Sequence, residues 1–172
     1  MKLFALFFIP LCGFGQIKLE QKVSLVNNKV EILAPKNLAN MSEEMWALKY
    51  QKRARPVLVL TDADGEINLV ADLTPQPAAE NQMAAFKDFQ MAQLKKSRPD
   101  LVFLGDGVKT VNGKKVGYFK FLSQAIDQKV FNYYFFTVVD GKVLLFSFNC
   151  IEKLKADWEK TAEEMVESLK VK

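Results

Sequence analysis

The stretch FNYYFFTVVDGKVLLFSFNC, residues 131–150, constrains the fold more than any other part of this 172-residue chain. Asp140-Gly141 tolerates the positive φ angles of a two-residue hairpin turn, so strand pairing can be counted outward from it. Val139 then falls opposite Lys142, Val138 opposite Val143, and Phe136 opposite Leu145. One face holds Tyr134, Phe136, Val138, Val143 and Leu145; the other holds Phe131, Tyr133, Phe135, Leu144, Phe146 and Phe148. Both faces are apolar. A strand pair of this kind belongs in the middle of a sheet with a covering layer on each side.

Asp64-Gly65 and Asn112-Gly113 carry the same turn chemistry between strand-like stretches, and Asn27-Asn28 suggests a further hairpin. Around Asp64-Gly65 the face of Leu58, Leu60, Leu69 and Ala71 is apolar, whereas Thr61, Asn68 and Asp72 make the other face more polar. That pair is expected nearer a sheet edge. The covering layers must be helices, and three stretches qualify. Over residues 156–169, Trp158, Ala162, Met165 and Leu169 recur at helical spacing, with Glu159, Glu163 and Glu167 on other faces. Over residues 78–97, Met83, Phe86, Phe89 and Leu94 form an apolar stripe, with Pro77 at its start and Arg98-Pro99 at its end. A shorter helix is predicted over residues 42–50, with Asn40 or Ser42 as cap and Glu43 and Glu44 in its first turn. The resulting order implies an α+β chain, mainly antiparallel β-sheet built from hairpins with helices on both faces.

The N-terminus reads as an export signal. Lys2 precedes an uncharged apolar run over residues 3–11, and Gly13 and Gly15 are small residues at the minus-three and minus-one positions of a cleavage site. Cleavage after Gly15 makes Gln16 the new N-terminus. The run is too short for a transmembrane helix, which needs roughly 20 apolar residues. Acylation at Cys12 is the alternative, but Leu11 stands where a lipoprotein signal has a small residue. The chain thus divides into a signal peptide, residues 1–15, and a single domain, residues 16–172. It is expected in the periplasm or outside the cell, with no transmembrane segment in the mature chain.

The mature chain loses Lys2 and no acid, so its formal net charge falls from +4 to +3. So mild and mixed a charge does not make a nucleic-acid binder. Cys150 remains as the single cysteine, which rules out an internal disulfide. It follows an apolar run and is expected to be buried and inert.

The order of elements, together with NGKKVGYFKF, YYFFTVVDGKVLLFSFNC and a Trp158-bearing last helix, resembles the PsbP-like superfamily, which includes DcrB-type envelope proteins and a nuclear-transport Ran-binding protein. The similarity runs from about Val23 to Val171 and is greatest to small exported Bacteroidetes-type proteins of unassigned function. Its markers are Pro35 at a strand end, Arg55-Pro56 before a strand, Asn112-Gly113, Asp140-Gly141 and Trp158. The resemblance implies a PsbP-like α/β/α sandwich used for binding and assembly, with partners that differ between branches.

The chain contains no histidine, which excludes Ser-His-Asp and Cys-His machinery and the usual zinc sites. DADGE, with Asp62, Asp64 and Glu66, is similar to the start of a calcium loop. The sixth and twelfth positions of such a loop would be Ile67 and Leu73, not the glycine and glutamate it needs. Gly105-Asp106-Gly107 has no helix after it and reads as a strand bend or bulge. No cofactor is expected. A carboxylate pair such as Asp62 and Asp72 is the one route to an enzyme, a carboxylate-dependent hydrolase; the third reading is a lipid-anchored structural protein of the envelope. The stretch KYQKRARP, residues 49–56, is the candidate binding segment. Tyr50, Lys52, Arg53 and Arg55 suit recognition of an acidic protein partner or a small anionic ligand, because guanidinium groups grip carboxylates and phosphates in pairs of hydrogen bonds.

Overall fold

The computed structural model describes residues 17–50 and 54–172. Strands β8 (Lys129–Val139) and β9 (Lys142–Ile151) meet at Asp140 and Gly141, whose φ angles of 50° and 71° make the expected mirror-image turn. Val139 pairs with Lys142, Val138 with Val143 and Phe136 with Leu145, the register counted from the turn. Phe131, Tyr133, Phe135, Leu144, Phe146 and Phe148 enter one large core cluster, on what we call the inner face. Phe136 and Val143 enter a second cluster on the outer face, with Tyr134, Val138 and Leu145 packed against it. The pair is buried from both sides.

β9 pairs on its other edge with β5 (Ile67–Pro77), which continues into β4 (Leu58–Thr61) and the two-residue β3 (Ala39–Asn40). β8 pairs with β7 (Lys114–Gln124), and β7 with β6 (Val102–Val111) through an Asn112-Gly113 turn. The sheet order is therefore β3-β4-β5-β9-β8-β7-β6, all antiparallel. A second sheet of three strands joins β1 (Leu19–Leu25), β2 (Val30–Pro35) and β10 (Lys170–Val171).

Helix α3 (Lys155–Glu167) and the small sheet close the inner face; Trp158, Ala162, Met165 and Leu169 are buried there with Val23, Val30 and Ile32. α2 (Met83–Ser97) covers the outer face over β6 and β7, burying Met83 and Phe86. α1 (Glu43–Tyr50) covers it over β4 and β5 by placing Trp46 on Val59 and Met41. Ser42 caps α1, its Oγ accepting the Met45 N–H at 3.1 Å. Helices thus lie on both faces, as the pattern required.

Three local expectations need correction. Asp64-Gly65 is not a two-residue turn. Thr61 pairs with Asn68, and Asp62 N–H donates to Ile67 O, so residues 63–66 form a longer loop in which Gly65 alone has positive φ. α2 begins later than residue 78, because β5 runs on to Pro77 and a 3-10 turn over Glu80–Gln82 intervenes. Beyond Ala71 that strand has no β4 partner, so Pro75 and Pro77 interrupt no pairing on that edge. Phe89, placed in the apolar stripe by spacing, is half exposed; Met83 and Phe86 enter the cluster under α2, with Met91 and Leu94 packed against it, and Phe89 stays outside it.

Candidate functional site

The basic segment starts at the end of α1. Trp46 and Tyr50, four residues apart on one helical face, stack with ring centroids 4.3 Å apart. Five residues beyond Tyr50 in the chain, the Arg55 guanidinium lies 5.7 Å from the Trp46 ring. Arg55 also donates to Glu43 Oε1 at 2.7 Å and to the Met41 carbonyl. Arg55 therefore ties the approach to β4 back onto the start and middle of α1, a bracing role that its place in a basic run did not reveal. Lys49 donates to the Gly65 carbonyl and pins α1 to the β4–β5 loop. Lys52 and Arg53 lie outside the described residues, as do Gly15, Gln16 and Cys12. Leu48 and Val57, on either side of the segment, are 82% and 54% exposed.

The carboxylates Asp62 and Asp72 do not converge. Asp62 Oδ1 accepts the Ile67 N–H at 3.0 Å, closing its own loop, and Asp72 sits five residues farther along β5. At about 3.4 Å per residue that is roughly 17 Å, too far for joint acid–base work. Gly105-Asp106-Gly107 lies within β6, where the pairing with β7 slips by one residue between Phe103 and Gly105. Among the described residues no group of three or more His, Cys, Asp or Glu is placed to hold a metal. Cys150 is fully buried and unpaired; burial pushes its thiol pKa up to about 12.

A polar cleft of about 300 Å³, which the sequence did not disclose, opens between α3 and β7. Glu159, Glu163 and Glu167 form an acidic stripe along α3 at four-residue spacing, and this much is legible in sequence. Their partners come from distant strands. Lys120 bonds Glu159 at 2.9 Å and also bonds Glu163, and Lys109 bonds Glu167 at 2.5 Å. Lys120 lies 5.0 Å from the Tyr133 ring and Lys109 5.5 Å from the Tyr118 ring. Burial opposes the charge on both Lys120 and Glu159, but the ion pairs outweigh it, raising the lysine pKa and lowering the carboxyl. Each charge here answers another, so the cluster braces α3 against the sheet.

This geometry defines a class: two antiparallel sheets, helices on both faces of the larger one, and surface sites without a catalytic constellation among the described residues. No protein-family model and no curated protein matches the chain in sequence. Solved structures do match in shape. The solution structure of cyanobacterial PsbP (CyanoP) from Synechocystis sp. PCC 6803 superposes with a TM-score of 0.64 at 13% identity, covering 93% of this chain and 96% of that one. LpqN, involved in cell envelope biogenesis of Mycobacterium tuberculosis, gives 0.58 at 14% identity, with 83% and 82% covered. A crystal structure from Bacteroides thetaiotaomicron VPI-5482 gives 0.59 at 12% identity; 90% of this chain corresponds to 49% of that one. The fold is PsbP-like.

Proposed function

We propose that this chain is an exported, non-enzymatic accessory domain of the cell envelope that recognises an anionic group at the corner where α1 passes into β4. The observation that carries the reading is the Tyr50–Trp46–Arg55 stack, which holds an aromatic and cationic platform at the start of a segment whose next charges are Lys52 and Arg53. Arg55 and Trp46 set the platform; Lys52 and Arg53 supply attraction for a carboxylate or phosphate. Export rests on Lys2, the apolar run that follows it and the Gly13/Gly15 pair ahead of Gln16. An envelope role is supported by the likeness to LpqN.

The test combines three measurements. Intact mass from the native host should correspond to a chain starting at Gln16; an acylated Cys12 would contradict soluble export. The mature chain is then used to capture proteins from envelope extracts and is titrated separately with inorganic phosphate. Lys52→Glu with Arg53→Glu should abolish whichever interaction is found, while the urea midpoint moves little. Capture without phosphate binding assigns a protein partner, and the reverse assigns a small anion. Both interactions surviving the double reversal would refute the site.

A further inference from the structure

The two edges of the large sheet are finished differently. One is β3, two residues long; the other is β6, ten residues long and paired only with β7. Of the eight large apolar side chains exposed among the described residues, three lie on β6: Val102, Leu104 and Val108. A long free edge offers a row of backbone N–H and C=O groups to another strand. Both faces leave this one accessible. α2 buries Met83 and Phe86 in a cluster with side chains of β7, β8 and β9, set back from the edge. A cleft of about 370 Å³ lies between Val108 and the first turn of α2, and on the inner face the cleft against α3 opens at Lys109.

The regular part of the edge is bounded at both ends. Pairing with β7 slips between Phe103 and Gly105, and β6 ends at Val111, before the Asn112-Gly113 turn. Between these limits seven residues, Gly105–Val111, hold an unbroken register, and Val108 is the middle one. Asp106, Val108 and Thr110 lie on the outer face, because Asp106 stands opposite Phe119 of the outer cluster. Gly107 and Lys109 lie on the inner face, opposite Tyr118 and Val116.

We propose that β6 pairs with β6 of a second copy of this chain, antiparallel about a two-fold axis at Val108, joining two seven-stranded sheets into one. A two-fold axis between antiparallel copies of one strand stands perpendicular to the sheet. Each residue then meets one on its own face, and the central residue meets itself. Centring on Asp106 or Lys109 sets like charges opposite each other, which is unfavourable. Centring on Gly107 sets each Val108 against a charged Asp106 and runs Val111 past the slip at Gly105. Centring on Val108 uses the whole regular stretch. It pairs exposed Val108 with itself, Lys109 with Gly107, and Thr110 with Asp106.

The last pair carries the choice of occupant. Lys115, opposite Thr110 on β7, donates to Thr110 Oγ1 at 3.1 Å and has no carboxylate partner among the described residues. The Thr110 hydroxyl keeps its own proton for an acceptor. Asp106 accepts from Lys87 through Oδ1, which leaves Oδ2 open. Across the axis, about 5 Å beyond Thr110, the second copy's Asp106 supplies that acceptor and brings a carboxylate toward Lys115. Symmetry makes the row twice. The strand itself thus carries the group its edge lacks, so the occupant that fits is another copy. This surface is separate from the anionic site proposed above, and its test does not depend on that one.

Sedimentation velocity of the chain starting at Gln16, over a dilution series, should show a monomer–dimer equilibrium. Thr110→Asp sets a carboxylate opposite the second copy's Asp106 in both symmetric rows. It should weaken the dimer about tenfold while the circular dichroism spectrum stays that of the parent. Val108→Cys places two thiols across the axis, about 4.5–5.5 Å between Cβ atoms and close to the span of a disulfide. Because Cys150 is fully buried, mild oxidation should then give one covalent dimer on a denaturing gel. Val102→Cys, on β6 but outside the paired stretch, is the control and should not cross-link. A chain that sediments as a monomer at every concentration overturns the proposal. So does a dimer that Thr110→Asp leaves unchanged, or one that Val108→Cys fails to cross-link.

Discussion

Phe146→Ala tests the idea that the β8–β9 pair is the centre of the molecule. Phe146 stands opposite Phe135, with ring centroids 4.7 Å apart and planes within 4° of parallel, and both residues are 0% exposed. A buried phenylalanine removes at least about 150 Å² from water, near 4 kcal/mol at about 25 cal/mol per Å². Alanine keeps a methyl group worth about 0.8 kcal/mol, so the lost transfer energy is about 3 kcal/mol. The rigid neighbours Phe135, Phe148 and Leu144 prevent full collapse into the space left behind, and the cavity raises the expected cost to about 3–5 kcal/mol. In a domain of this size that lowers Tm by about 10 °C. Urea melts followed by tryptophan fluorescence measure the free-energy loss, and Trp158 reports on this cluster because it stacks on Phe148, 5.9 Å between centroids. Phe89→Ala, on the half-exposed side of α2, is the control and should cost under about 1 kcal/mol. A loss below about 1 kcal/mol for Phe146→Ala would show that the hairpin is not packed from both sides.

Gly117→Ala should destabilise by about 1–3 kcal/mol in the same melts, because an added Cβ would lie 2.4 Å from the buried Phe136 ring; an unchanged midpoint would mean that the ring moves freely. Cys150 should resist a thiol reagent until the chain unfolds, and fast labelling of the native protein would contradict its burial. Its thiol pKa rises from 9.0 to about 12 on folding, so its contribution is complete below pH 9 and is lost as pH climbs toward 12. Cys150→Val should flatten that part of the stability curve. Asp100 behaves in the opposite sense: hydrogen bonding from Arg98 holds its carboxyl well below the ordinary 3.8, so its contribution is present above that value and fades as pH falls further. Asp100→Asn should remove this acid dependence, and an identical acid melt would refute the pairing.

The sequence alone determined whatever depends on neighbours along the chain. Period-two alternation and the turn at Asp140-Gly141 specify which side chains of β8 and β9 share a face, because one hairpin turn sets the register of every pair beyond it. Helical spacing likewise identifies the buried stripe of α3, from Trp158 to Met165, with Leu169 buried just beyond its end. Only the tertiary structure decided which hairpins meet. The β5–β9 pairing brings Asn68 beside Asn149, and the chain returns after α3 to add Lys170–Val171 to β2. The same holds for Arg55 on Trp46, Lys120 between Glu159 and Glu163, and the exposure of Phe89. Each depends on the distance between segments far apart in sequence. A local pattern says that a face must be covered; only the assembled layers decide which residues cover it, and which polar groups are left side by side beneath them.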